Sequence, residues 1–147
     1  LQEAGSRNYW KSHNLTDFND EVIDIMLGAS ENQPGPLCEL LMIHMEGAGA
    51  RVDSMATAYH HRSAPFVLNV HTRWESAAED EKMIAWARKL YEDTKTYASG
   101  VYVNFMSDEG EERVHDAYPR ETWDRLVALK RKYDPENRFR MNQNIKP

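Results

Sequence analysis

Residues 65–74 read Pro65-Phe66-Val67-Leu68-Asn69-Val70-His71-Thr72-Arg73-Trp74. Side chains of an extended segment alternate between two faces, so Phe66, Leu68, Val70 and Trp74 share one face, while Asn69, His71 and Arg73 share the other. The spacing predicts a strand over 66–74 with an apolar side and a side of unusual polarity. Before it, residues 38–46 read as another strand, with Leu37, Leu41, Ile43 and Met45 on one face and His44 and Glu46 opposite. Gly47-Ala48-Gly49-Ala50 makes a turn after that strand, and Gln33-Pro34-Gly35-Pro36 breaks the chain ahead of it. Phe18, Val22, Ile25 and Met26 recur at helical spacing and predict a helix near 17–28. After residue 74, Ser76 and Glu79 form a capping box for a helix near 77–97, whose apolar stripe is Met83, Ala87, Leu90 and Tyr91. A third strand is expected over 100–106, with Val101, Val103 and Phe105 on the apolar side and Tyr102 and Asn104 opposite. A polar loop, Ser107–Glu112, leads to a last helix near 120–133, with Trp123, Leu126 and Val127 inward, which Asp134-Pro135 ends because the residue before proline avoids helical geometry. The tail from Arg138 to Pro147 has no periodicity. This order favours an α+β fold: an antiparallel sheet with helices packed on one face and the other face open.

The chain has 147 residues, of which 41% are hydrophobic and 29% charged, enough for one domain with a core. A formal net charge of −6 gives no basic footprint for nucleic acid or an anionic membrane. The apolar runs are too short to span a bilayer. The first residues, LQEAGSRNYWKS, lack the basic start and apolar stretch of a signal peptide, so the cytoplasm is the favoured location. They also lack an initiator Met, from which a chain cut from something longer is expected. Cys38 is the single cysteine, forms no internal disulfide and leaves the redox compartment open.

The polar faces carry the functional signal. A merely solvated face of an antiparallel sheet is the plain alternative. Such a face should carry Lys, Glu and Thr, whereas histidine, asparagine, arginine and tyrosine together suit a ligand face. His44, His60 and His61 suggest no metal site, because no Cys-x-x-Cys, His-Glu-x-x-His or carboxylate-rich loop accompanies them. Asp108-Glu109-Gly110-Glu111-Glu112 lacks the ligand spacing of a calcium loop. Gly47–Ala50 opens no helix and so lacks the geometry of a phosphate site.

The tail is more specific. Tyr102-Val103-Asn104-Phe105, Trp123-x-x-Leu126, Leu129-Lys130-x-Lys132-Tyr133-Asp134-Pro135-x-Asn137-x-Phe139 and Asn142-x-Asn144-Ile145-x-Pro147 together resemble the C-terminal region of berberine-bridge-enzyme-like flavin oxidases. Tyr9-Trp10-Lys11-Ser12, Gly49-Ala50, Thr57-Ala58-Tyr59 and His61-Arg62 match the family's pattern more loosely, and Asn69–Trp74 resembles the strand that carries a glutamate or glutamine in other members. The resemblance implies a substrate-binding domain plus a C-terminal segment over residues 1–147, with helices behind a sheet whose open face lies over the isoalloxazine. A separate N-terminal domain would bind FAD. No flavin-attachment motif or glycine-rich pyrophosphate loop occurs in these residues, so the isolated chain is expected to bind FAD negligibly and to be inactive. The implied chemistry is oxidation of an alcohol or amine carbon of a small molecule, with oxygen reoxidising the flavin. Tyr102 is the first candidate for the base, by its place in Tyr-x-Asn-Phe. A phenol ordinarily titrates near about 10 and needs a nearby cation or donors, such as Arg73 or Lys11. His71 is the rival base. Asn69, Arg73 and Lys11 are expected to bind substrate and Asn104 to face the cofactor. Asn69 replaces the acid of some relatives and cannot act as a base, which argues against an alkaloid-type cyclisation. The tail, lacking its docking surface, is expected to be poorly ordered or to pack on a neighbouring copy. A non-enzymatic ligand-binding α+β domain and an oligomerisation module are the alternatives.

Overall fold

The structure, a computed structural model, describes residues 5–106 and 111–147. Its elements are β1 (Arg7–Leu15), α1 (Asp20–Glu31), β2 (Glu39–His44), β3 (Phe66–Trp74), α2 (Asp80–Asp93), β4 (Ala98–Gly100), α3 (Glu111–Ala117) and α4 (Arg120–Tyr133). The four strands pair antiparallel in the order β2-β3-β1-β4. This is the expected α+β arrangement, with α1 and α2 packed on one face of the sheet. Apolar periodicity missed β1, although it lies inside the sheet. Its helix-side residues are Tyr9, Lys11, His13 and Leu15, and the others are Trp10, Ser12 and Asn14, so neither face reads as aliphatic.

Leu15, Val22, Leu68, Val70, Ala87 and Leu90 form the buried core under the helices, with Phe18, Ile25, Met26, Leu40, Met42 and Phe66 packed around it. The predicted stripe Met83, Ala87, Leu90 and Tyr91 is buried throughout. Asn19 caps α1 by accepting from the Val22 N–H at 3.0 Å. Ser76 caps a single 3-10 turn, Ala77–Glu79, and the α-helix begins only at Asp80. The Asp80 carboxylate accepts from Arg7 at 2.6 and 2.7 Å and from Trp74 Nε1 at 2.6 Å, which pins the start of α2 to β1 and β3.

Two expectations about side-chain direction are corrected. In β2 it is Leu40 and Met42 that face the helices, opposite Val70 and Leu68. Leu41 and Ile43 therefore lie on the second face, and His44 stacks on Phe66 at 5.0 Å on the helix side. Residues 40–43 are all apolar, so alternation had no contrast to reveal the register. The third strand stops at Gly100: Leu15 pairs with Ala98 and Asn14 with Gly100, with a register slip between them. Val103–Phe105 is a 3-10 turn, closed by the Phe105 N–H donating to the Tyr102 carbonyl at 2.9 Å. Residues i and i+3 of such a turn eclipse one another, so Tyr102 and Phe105 share a side and Phe105 does not join the helix-side core. The expected loop Ser107–Glu112 lies outside the described residues as far as Gly110, and α3 begins at Glu111.

On the helix side His13 is buried, its ring stacked on Tyr91 at 3.9 Å, and its Nε2–H donates to the Tyr91 carbonyl at 2.9 Å. Burial, aided by the charges of Arg113 and Lys11, lowers its pKa to about 4 against the carbonyl's opposing pull. An unfolded imidazole titrates near about 6.5, so between those values the unfolded state binds the extra proton. Stability should be full above about pH 6.5 and fall by about 3 kcal/mol as pH drops to about 4. Urea unfolding of His13→Gln across that window should lose most of this slope. An unaltered slope would show that His13 is not its source.

The C-terminal segment is organised by Asp134. Its carboxylate accepts from Lys130 Nζ at 2.5 Å, from the Arg138 N–H at 2.7 Å and from the Phe139 N–H at 3.0 Å. The Lys130 charge and these backbone donors hold its pKa down at about 2. The Asp-Pro-x-Asn sequence is thus a helix stop with a built-in carboxylate, after which Asn137 adopts a φ of 51°. Further along, Gln143 Nε2 donates to the Met106 carbonyl at 3.5 Å, while Tyr133, Phe139 and Met141 stay exposed.

Candidate functional site

Directly opposed residues of antiparallel strands point the same way. The register therefore gathers Trp10, Ser12 and Asn14 of β1 with Val67, Asn69, His71 and Arg73 of β3 and Glu39, Leu41 and Ile43 of β2 on the second face. His71 is 2% exposed, lies 4.2 Å from the Trp10 ring and donates from Nδ1 to Glu39 Oε2 at 3.2 Å. Burial lowers its pKa, with Glu39 pulling the other way. Asn69 Oδ1, Ser12 Oγ and both side-chain polar atoms of Asn14 are buried without a hydrogen-bond partner. Buried polar groups are ordinarily paired, so this row sets the second face apart from an ordinary apolar core. Arg73 stands at the end of the row, opposite Asn8, with Nε and Nη1 also unpaired.

Tyr102 and Asn104 are joined to each other: the Asn104 amide donates to the Tyr102 hydroxyl oxygen at 2.6 Å. The phenolic hydrogen is thereby left to point elsewhere. The Tyr102 ring meets Phe105 and Tyr59 edge-on, at 5.1 and 5.6 Å. Together with Ile43, Met45 and Val67 these rings wall a cavity of about 300 Å³. Ile43 and Val67 belong to the second face, so Tyr102 lies on the same side of the sheet as Asn69 and His71. It is not adjacent to His71: the connection runs through Phe105 and Trp10, whose rings are 5.7 Å apart. Asn104 also borders a wider cleft of about 730 Å³, formed with Val103, Met106, Tyr118 and Met141–Gln143 of the tail.

Lys11, expected to bind substrate, is on the helix side opposite Val70, with Nζ 4.5 Å from the Tyr91 ring centre. It cannot serve the second face from there. Sequence reasoning missed Tyr59 and Arg62 as site residues. The loop after β2 closes on itself through the Met45 N–H donating to the Pro65 carbonyl at 2.6 Å. Within it Arg62 donates to the Gly49 carbonyl at 2.8 Å and to Thr57 Oγ1 at 2.7 Å, and its guanidinium lies over the Tyr59 ring at 5.4 Å. Gly49-Ala50, Thr57-Ala58-Tyr59 and His61-Arg62, which look scattered in the sequence, are one folded unit around a single arginine. That linkage was the available signal. Among the described residues no group of histidine, cysteine, aspartate and glutamate is arranged to hold a metal ion. The aromatic rings and unpaired amides instead suit a flat heteroaromatic group with donors and acceptors on its edge.

A model of the family described as "Berberine and berberine like" matches residues 101–146. (R)-6-hydroxynicotine oxidase of Paenarthrobacter nicotinovorans is 41% identical over 157 residues, covering 99% of this chain and 33% of that protein. The FAD-linked oxidoreductase YvdP of Bacillus subtilis (strain 168) is 31% identical over 130 residues, covering 88% of this chain and 29% of that protein. The solved structure of berberine bridge enzyme from Eschscholzia californica superposes with a TM-score of 0.83 at 20% identity, over 100% of this chain and 34% of that one, and so shares the fold. The chain spans about a third of the length of the curated relatives it matches.

Proposed function

Because the chain belongs to the berberine and berberine-like family, we propose that it forms the substrate-side third of an FAD-dependent oxidase that oxidises an alcohol or amine carbon of a small molecule. The observation that carries this reading is the Tyr102–Asn104 pair at the wall of an apolar cavity on the side of the sheet opposite α1 and α2. An N-terminal FAD-binding domain is the partner this chain would close upon. The unpaired Ser12, Asn14 and Asn69 atoms and the Asn104 amide are the groups suited to hold the cofactor and substrate edges. FAD, when bound, supplies the two-electron acceptor that takes hydride from the substrate carbon, and oxygen is the acceptor that restores it.

This chain's own part is orientation and proton transfer. The apolar walls Ile43, Val67 and Phe105 hold the substrate and exclude water. Tyr102 Oη, once ionised to the phenolate, takes the proton from the substrate's hydroxyl or amine and becomes the neutral phenol, and the Asn104 amide fixes that oxygen's position. Arg62, rather than Lys11, is the cation built into this wall, through its stack on Tyr59. His71 is the rival base, but it lies under Trp10 and is engaged by Glu39. Arg73 and Asn69 remain as substrate contacts further along the face. Removing the Tyr102 hydroxyl in the intact flavoprotein tests the reading: reduction of the flavin by substrate slows if the phenol is the base and is unchanged if it is not.

A further inference from the structure

We propose that Arg125 is a positioning residue for Tyr102: it clamps the loop after β2 onto α4 and so fixes Tyr59, against which the Tyr102 ring is set. Its bearing on the reaction rests on the reading of Tyr102 as the base. Residues 45–65 join β2 to β3, where a hairpin connection needs only about two to five residues. A loop of that length is ordered only where contacts offset its entropy. Inside it, Asp53 forms the turn that carries Met55: its carboxylate accepts from the Met55 N–H at 2.8 Å and its carbonyl from the Ala56 N–H at 3.0 Å. Met55 is then met from α4. Arg125 Nη1 donates to the Met55 carbonyl at 2.5 Å, and the Thr122 hydroxyl to Met55 Sδ at 3.9 Å. Thr122 and Arg125 are three residues apart and so share one face of the helix. A thioether is a weak acceptor, so Arg125 carries the clamp.

Four residues beyond Met55, Tyr59 meets Tyr102 edge-on at 5.6 Å. The contacts of Tyr102 with Asn104 and Phe105 come from its own turn and move with it, so they cannot fix where the phenol sits relative to the sheet. Trp10 does so from β1, through Phe105 at 5.7 Å, and Tyr59 does so from the loop. Arg62 cannot replace Arg125 here, because its bonds to Gly49 and Thr57 lie within the loop and hold its shape rather than its place. The second outside tie is His61, whose Nε2–H donates to the Asp116 carbonyl of α3 at 3.0 Å. The stretch from Met55 to His61, with Tyr59 inside it, is therefore held at both ends by the two C-terminal helices.

The test uses the intact flavoprotein carrying Arg125→Ala, Arg125→Lys or Arg120→Ala, with two readouts: amide hydrogen exchange, and the fluorine resonance of 3-fluorotyrosine placed at position 102. In Arg125→Ala the Met55 and Ala56 amides should exchange about tenfold faster, the worth of one hydrogen bond from a charged donor, while the amides of β1 and β3 exchange as in wild type. The fluorine resonance should move toward that of free 3-fluorotyrosine. Arg125→Lys should restore both readouts, because a single carbonyl needs one donor and not the guanidinium fork. Arg120→Ala removes a cation of the same helix whose side chain is 95% exposed, and should change neither. Unchanged exchange at Met55 and Ala56, an unmoved resonance beside faster exchange, or no recovery in Arg125→Lys would overturn the proposal. Neither readout needs turnover, so both separate from the base assignment. Slow reduction in Tyr102→Phe with wild-type exchange in Arg125→Ala discards the clamp and keeps the base; the converse result keeps the clamp and discards the base.

Discussion

Flavin reduction by substrate in the intact enzyme should slow by about 10²–10⁴-fold when Tyr102 is replaced by Phe, the usual worth of a positioned general base. The substitution removes one oxygen. Its ring contacts with Phe105 and Tyr59 survive, so the wall of the cavity and the fold should be preserved. What is lost is the atom that Asn104 holds at 2.6 Å. Stopped-flow absorbance under anaerobic conditions measures this step alone, apart from reoxidation. Asn104→Ala should show a smaller loss, because it leaves the phenol in place and removes only its anchor. Wild-type reduction rates in Tyr102→Phe would move the proton transfer to His71.

Replacing Gly100 by Ala should destabilise the chain by about 2–4 kcal/mol, the sum of backbone strain and a lost hydrogen bond. Gly100 has a φ of 152°, which side-chain-bearing residues rarely adopt, and a Cβ there would lie 2.6 Å from His61 Nδ1. The His61 ring cannot simply turn away, because its Nε2–H donates to the Asp116 carbonyl at 3.0 Å. That bond ties the loop after β2 to α3, so the clash would spread to the element beside Tyr118. Adding His61→Ala to Gly100→Ala should recover part of the loss, because it removes the atoms in the way while leaving the strain. Urea unfolding of the single and double variants measures both quantities. A Gly100→Ala variant within about 0.5 kcal/mol of wild type would show that the close approach to His61 is not a constraint.

Some elements were legible in the sequence for simple reasons. Leu68, Val70 and Trp74 alternate with Asn69, His71 and Arg73, and Met83, Ala87, Leu90 and Tyr91 repeat at helical spacing; in both cases the contrast between faces is strong and the helix-side residues were read correctly, although β3, expected to be open on its second face, is buried on both. Where contrast vanished, the reading failed. β2 is apolar on both faces, and its register came out inverted. β1 is aromatic and polar on both faces, because its helix side meets Asp80, Arg88 and Tyr91 and its other side is lined with unpaired amides and a hydroxyl, and it was missed as a strand. Val101–Met106 alternates like a strand, yet β4 ends at Gly100, where the register slips against β1, and the chain turns. Tyr102 still reaches the expected side, but through the three-residue repeat of a turn, which also brings Phe105 with it. The site was legible in part for the same reason: Asn69 and His71 follow from one strand, whereas Tyr59 and Arg62 depend on how a long loop folds on itself, which no local period encodes.

A crystal structure of the intact flavoprotein with a bound substrate analogue decides where the substrate sits. The flavin ring and the analogue should lie on the side of the sheet that carries Asn69, with the analogue's oxidisable carbon beside the Tyr102 hydroxyl. A flavin seated against α1 and α2, or an analogue bound without contact to Tyr102, would contradict that placement.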